Sequence, residues 1–207
     1  TTQAGSGYYT YIDLVVASDS SLGTVYSPTA APTYNDGDDV APRNMTADNL
    51  PFPKVSSASS VYKTYYSYRA FDSVDAAWYC SGGSKACWVK IDLGYGRAQP
   101  IDSYGIKVTN TLLGRSPGDW TLKGSNDNTN WDTLDTVSGA TGWSNYEKRT
   151  YTCDVTGTAY RYFMLDISDN DGGDNYTTFT ELYLYYDAPL TSISASVSDT
   201  VNVSENI

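Results

Sequence analysis

The chain has 207 residues, with 13 Lys and Arg against 24 Asp and Glu, a net charge of −11, and no histidine. Without a basic run it has nothing to track phosphates on nucleic acid or anionic lipid, and without imidazole it lacks Ser–His and Cys–His nucleophile pairs and most catalytic zinc. No apolar stretch approaches the ~20 residues that span a bilayer, no basic-then-apolar leader opens the chain, and the missing initiator Met suggests a processed protein or an excised fragment.

Twenty Tyr and five Trp stand beside four Phe, and only three of the acids are Glu. Tyr joins a flat apolar face to a hydroxyl, which suits wet interfaces. Asp favours turns and caps where Glu favours helix interiors. The composition therefore points to an all-β protein.

Residues 1–43 read as an N-terminal arm or linker, with one apolar piece (Tyr11 to Ala17) and turn signals at Asn35-Asp36-Gly37 and Ala41-Pro42. Residues 44–187 change to short strands separated by polar turns. Val89, Ile91 and Leu93 alternate with Lys90 and Asp92, and Gly94 ends that strand. Tyr104, Ile106 and Val108 repeat the alternation. Trp120 and Leu122 lead into the turn Gly124-Ser125-Asn126-Asp127-Asn128, with Trp131 beyond it. Phe163, Leu165 and Ile167 share one face, as do Leu182, Leu184 and Tyr186. No helical period exceeds two turns, so the spacing predicts an antiparallel sandwich. Trp88, Trp120, Trp131, Phe163, Leu165 and Leu182 are its expected core. Residues 188–207 alternate small polar residues with Ile193, Val197, Val201 and Val203, as a Ser/Val-rich C-terminal connector would.

Three stretches together resemble the discoidin, or coagulation factor 5/8 C-type, domain. They are KVSSASSVYKTYYSYRAFD at 54–72, WVKIDLG at 88–94, and SPGDWTLKGSNDNTNWDTL at 116–134 followed by AYRYFMLDI at 159–167 and TTFTELYLY at 177–185. The order and spacing match the family over about 140 residues. The wording is similar to the version seen in bacteriophage tail, fibre and other virion surface proteins. The resemblance implies a jelly-roll-like β-sandwich of the galactose-binding-domain type, shared with many carbohydrate-binding modules.

The same resemblance implies a structural Ca2+ held by Asp72 and Glu181, with Asp75 and carbonyls near Ala70 and Thr180 as further ligands. Ca2+ takes six to eight hard oxygens, which a carboxylate pair and turn carbonyls supply. Ser73 and Val74 depart from the family's turn; without the cation, Asp72 caps its own turn and the acids stay solvated. In the carbohydrate-binding relatives, loops at one end carry an aromatic platform and an Arg. Here Arg115 and Tyr176 hold those places, with Trp143, Trp78 and Tyr79 as other loop aromatics. A flat ring stacks on a sugar's C–H face while forked donors meet its hydroxyls. Otherwise Arg115 pairs with a nearby Asp and Tyr176 covers the edge of the core. The lack of His departs from several galactose-binding relatives, so galactose itself is not implied.

Cys80 and Cys87 enclose six residues with Gly82-Gly83 and either close a disulfide or remain thiols; Cys153 is left as a small buried hydrophobe. No pair of carboxylates is singled out for catalysis, and N-x-S/T sites at Asn44, Asn175 and Asn202 matter only in a glycosylating host. The reading is a non-catalytic adhesion module at a virion or other extracellular surface, binding a cell-surface glycan or receptor and contacting neighbouring copies or domains, without nucleic acid or membrane insertion. The alternative is a structural decoration or assembly subunit of a capsid, tail or filament.

Overall fold

The computed structural model describes residues 38–80 and 82–186; the expected strand piece at Tyr11 to Ala17, the turn at Asn35-Asp36-Gly37 and the 188–207 connector lie outside the described residues. Among these the strands run β1 (Asp38–Asp39), β2 (Val55–Ala58), β3 (Trp78–Tyr79), β4 (Cys87–Asp92), β5 (Ser103–Lys107), β6 (Pro117–Ser125), β7 (Asp132–Val137), β8 (Lys148–Thr152), β9 (Tyr162–Asn170), β10 (Thr178–Phe179) and β11 (Glu181–Tyr186), with short 3-10 turns at Ser67–Phe71 and Leu113–Arg115. No helix among them is long and apolar enough to cross a membrane.

The strands form two antiparallel sheets, β1-β11-β5-β8 and β2-β4-β9-β6-β7, with a small β10-β3 ribbon. Alternation decides which side faces in. Val89 and Ile91 of β4, Leu122 of β6, Phe163 and Leu165 of β9, Tyr104 and Ile106 of β5, and Leu182 and Leu184 of β11 are all fully buried in one cluster. The sheets are also joined by polar contacts. Trp120 Nε1 donates to the Tyr104 hydroxyl at 2.8 Å, and that hydroxyl donates to Asp135 at 2.6 Å. Tyr151 of β8 stacks on Tyr104 and meets Trp120 edge-on.

Two expected core residues lie elsewhere. Trp88 follows Lys90 and Asp92 to the outer face of β4, as period-two alternation requires, and Trp131 sits just beyond the β6–β7 turn. Both are half-buried, with the Lys90 ammonium 5.0 Å from one ring and 5.8 Å from the other. The sandwich also begins inside the expected arm. Asp38 and Asp39 pair with Tyr186 and Tyr185, and Val40 and Ala41 enter the core. A two-residue strand is too short to show a period, so its composition read as loop.

β6 and β9 pair from Ser125↔Tyr162 at one end of the sandwich to Pro117↔Asn170 at the other, with register shifts between Pro117 and Trp120. Cys87↔Ile167 lies near the second end, so the loops leaving Pro117, Asn170 and Cys87 gather there. Tyr104→Phe leaves the buried Asp135 carboxylate and the Trp120 N–H without their shared partner. It should cost about 2 kcal/mol in denaturant unfolding; an unchanged midpoint would contradict the inter-sheet link.

Candidate functional site

The end loops are held by backbone-to-backbone contact. Asp171 N–H donates to the Ser116 carbonyl at 2.8 Å, and Gly173 N–H donates to the Gly114 carbonyl at 2.7 Å. A Cβ on Gly173 would lie 2.4 Å from the Gly114 oxygen, and one on Gly118 would lie 2.7 Å from Asn170 backbone atoms. Only glycine permits this approach. The buried Asn170 amide closes the 170–176 loop by donating to the carbonyls of Asp174 and Tyr176.

This arrangement brings Arg115 and Tyr176 together. The Arg115 guanidinium lies 4.8 Å from the centre of the Tyr176 ring and binds Asp174 at 2.5 Å. Tyr176 packs against Gly82, where a Cβ would come within 2.4 Å of the ring, and meets Tyr62 edge-on at 5.2 Å. Tyr62 stacks on Tyr65 at 6.4 Å, and Tyr65 contacts Tyr79 at 4.5 Å. All four Tyr side chains are half-buried. The surface thus combines a fork of donors, a carboxylate and several ring edges and faces, the groups that meet a polyol carrying apolar C–H faces.

Tyr79 therefore belongs to the cluster, while Trp143 does not offer a ring to solvent. Trp143 is 4 % exposed, donates Nε1 to the Pro117 carbonyl at 3.0 Å, and is capped by the Arg149 guanidinium at 4.0 Å. It supports the base of the Arg115 turn from inside. Trp78, also expected in a loop, is a fully buried residue of β3 packed on Phe179. Tyr62, Tyr65 and Asp174 are additions that motif matching passed over. The available signal was the run Val61-Tyr62-Lys63-Thr64-Tyr65-Tyr66, dense in Tyr yet without strand alternation.

The acidic residues divide. Glu181 is 1 % exposed; Arg43 binds its Oε2 at 2.6 Å, while Oε1 is buried without a donor. The Asp72 carboxyl is near enough to disfavour its charged form. Burial pushes Glu181 up to about 8, with Arg43 opposing the shift and Asp72 adding to it. Asp72 is also raised by burial, against the Val74 N–H that it accepts. A neighbouring pair of carboxyls, one with a buried oxygen that no donor meets, fits a hard cation. Asp75 does not join them, because Lys107 holds it at 2.5 Å. Among the described residues no three acid or thiol side chains gather as a metal cluster.

Residues 54–182 match the family model of the F5/8 type C domain. Among curated proteins the chain is 24 % identical to the peptide-N(4)-(N-acetyl-beta-glucosaminyl)asparagine amidase of Arabidopsis thaliana, over 61 % of this chain and only 20 % of that enzyme. Of solved structures, CpGH89CBM32-5 from Clostridium perfringens, in complex with GalNAc-beta-1,3-galactose, superposes with a TM-score of 0.54 at 13 % identity, covering 64 % of this chain and 95 % of that one. Chitosan-binding module 2 of the chitosanase/glucanase from Paenibacillus sp. IK-5, in complex with chitotriose, gives 0.54 at 18 % identity, covering 72 % and 100 %. At these identities the likeness is one of fold.

An acid that holds its proton more tightly when folded contributes stability that is complete below the ordinary glutamate range and is lost as pH rises through its folded value. In chelator, the native protein should therefore lose stability as pH rises towards and past 8, and Glu181→Gln should flatten that slope. Parallel melting curves for the two proteins across pH 5–9 would contradict this.

Proposed function

The chain belongs to the F5/8 type C domain family, and we propose that it is a non-catalytic carbohydrate-binding module whose contact surface is Arg115, Asp174, Tyr176 and Tyr62, walled by Tyr65 and Tyr79. The observation that carries this reading is the glycine-dependent closure of two loops that lays the Arg115 fork across Tyr176 beside a row of tyrosines. Two structural neighbours are in complex with sugars, GalNAc-beta-1,3-galactose and chitotriose, which supports a carbohydrate as the class of ligand. A single such surface binds weakly, so attachment to a cell-surface glycan would depend on many copies. A place on a virion or other extracellular surface, where such glycans are met, belongs to the same proposal.

A purely structural role in a capsid, tail or filament is the rival. The half-buried Trp88 and Trp131 flanking Lys90 on the outer sheet face are what would favour it, as aromatic residues at a protein contact. A glycan array separates the two readings. The attachment reading expects specific binding, weakened about tenfold or more in both Arg115→Ala and Tyr176→Ala, with thermal midpoints little changed. An array without hits, or binding indifferent to both substitutions, would overturn it.

Calcium belongs to the same proposal as a structural ion. Asp72 and Glu181 would hold it with carbonyls near Ala70 and Thr180, and its charge would take the place of the proton that burial leaves on Glu181. Millimolar Ca2+ should then raise the melting midpoint by several degrees over chelator in the native protein but not in Glu181→Gln. Equal midpoints for the native protein in Ca2+ and in chelator would remove the ion.

A further inference from the structure

Cys80 and Cys87 stand at the two ends of the loop that supports Tyr176. Both are buried free thiols, each close enough to shift the other's titration. Cys80 Sγ lies 3.7 Å from the Ser84 carbonyl and Cys87 Sγ lies 3.7 Å from the Lys85 carbonyl, so both sulfurs turn under the same bend. The loop's ends are fixed by the sandwich. Cys80 N–H donates to the Thr177 carbonyl at 3.0 Å, Thr177 Oγ1 donates to the Lys85 carbonyl at 2.8 Å, and Cys87 pairs with Ile167 in the sheet. Its middle is exposed: Gly82 packs on the Tyr176 ring, and Gly83 N–H reaches the Asn175 carbonyl at 3.2 Å.

We propose that Cys80 and Cys87 form a reversible disulfide that staples the 80–87 loop beneath Tyr176, so that the stiffness of this wall depends on the redox state. The link to ligand binding rests on the carbohydrate reading above; the disulfide itself does not. A low-molecular-weight disulfide such as oxidised glutathione is the oxidant. The Cys80 thiolate attacks one of its sulfurs and expels one glutathione thiolate. Cys87 then loses its proton, attacks the mixed-disulfide sulfur on Cys80 and expels the second. The protein gives up two protons and two electrons, and two glutathione thiols result. The neighbouring Cys87 lowers the Cys80 thiol against the opposing effect of burial while its own is pushed up, which agrees with Cys80 as the attacking sulfur. Cys153 takes no part: burial, helped by Asp135, Asp102 and Asp154, holds its thiol up to about 12.

The test uses the full chain, reduced and then equilibrated with oxidised glutathione. Alkylation under denaturing conditions followed by mass spectrometry should show one alkylated cysteine, Cys153, and a peptide linking Cys80 to Cys87. The bridged form should melt about 5 °C above the reduced form, and amide exchange at Gly82, Gly83 and Tyr176 should slow at least several-fold. The Cys80→Ser/Cys87→Ser protein should show neither change, while Cys153→Ser should show both. Three alkylated cysteines, a lasting glutathione adduct without a bridge, or a bridged protein with unchanged exchange at these amides would overturn the proposal. None of these readouts needs a sugar, so a failed glycan array leaves this test intact.

Discussion

The site depends on the backbone closure of two loops, in which the Gly173 amide donates to the Gly114 carbonyl and the Asp171 amide to the Ser116 carbonyl. Side chains at 173 or 118 would force the two loops apart, since a Cβ there would overlap backbone atoms rather than a flexible side-chain tip. Once the loops touch, Arg115 has only to extend to Asp174 to lie across Tyr176. Both loops are extensions of β6 and β9, the central pair of the five-stranded sheet. The position of the Arg–Tyr pair is thereby inherited from the best-packed part of the fold, where Trp120, Leu122, Phe163 and Leu165 are buried.

The excess of Asp over Glu has a structural use. A short carboxylate reaches the backbone N–H groups of its own loop. Asp127 accepts from the N–H groups of Thr129 and Asn130, Asp39 from that of Ala41 and Asp92 from that of Gly94, while Asp39 and Asp48 also reach the N–H groups of Leu184 and Tyr68 on other segments. The hydrogen bonds to Asn130 and Thr129 hold the Asp127 carboxyl well below the usual carboxylate range. Many of the acids are thus loop staples, and others are matched by cations, as Asp92 is by Arg161 and Asp166 by Lys123. Such partly exposed pairs add little stability each. The most deeply buried carboxyl, Glu181, is reached by Arg43 from a segment whose composition suggests an arm.

The sandwich was legible in the sequence wherever a strand is long and half-buried. β4, β5, β9 and β11 announce themselves by alternation, and their inward residues are the ones expected. β3, β8 and β10 were not visible: two are two residues long, and β8 is an edge strand with no buried residue. The size of Trp88 and Trp131 suggests core positions, but alternation puts Trp88 on the outer face of β4 beside Lys90. At the site, family wording located Arg115 and Tyr176, but their partners are set by distant contacts. Tyr62 reaches Tyr176 only because the 80–87 loop and Thr177 bring the chain back to it, and Trp143 is buried by Arg149 and Pro117, neither of which its local sequence reveals.

The central claim is that ligand contact takes place at the end of the sandwich where Arg115 meets Tyr176. An amide chemical-shift titration of the isotope-labelled chain with its best-bound oligosaccharide tests this most directly. The account predicts shifts concentrated at 62–66, 82–84, 114–116 and 171–176, with the turn at 125–130 and the residues around Tyr95 unmoved. Shifts centred on Trp88, Lys90 and Trp131, or at the opposite end of the sandwich, would contradict it.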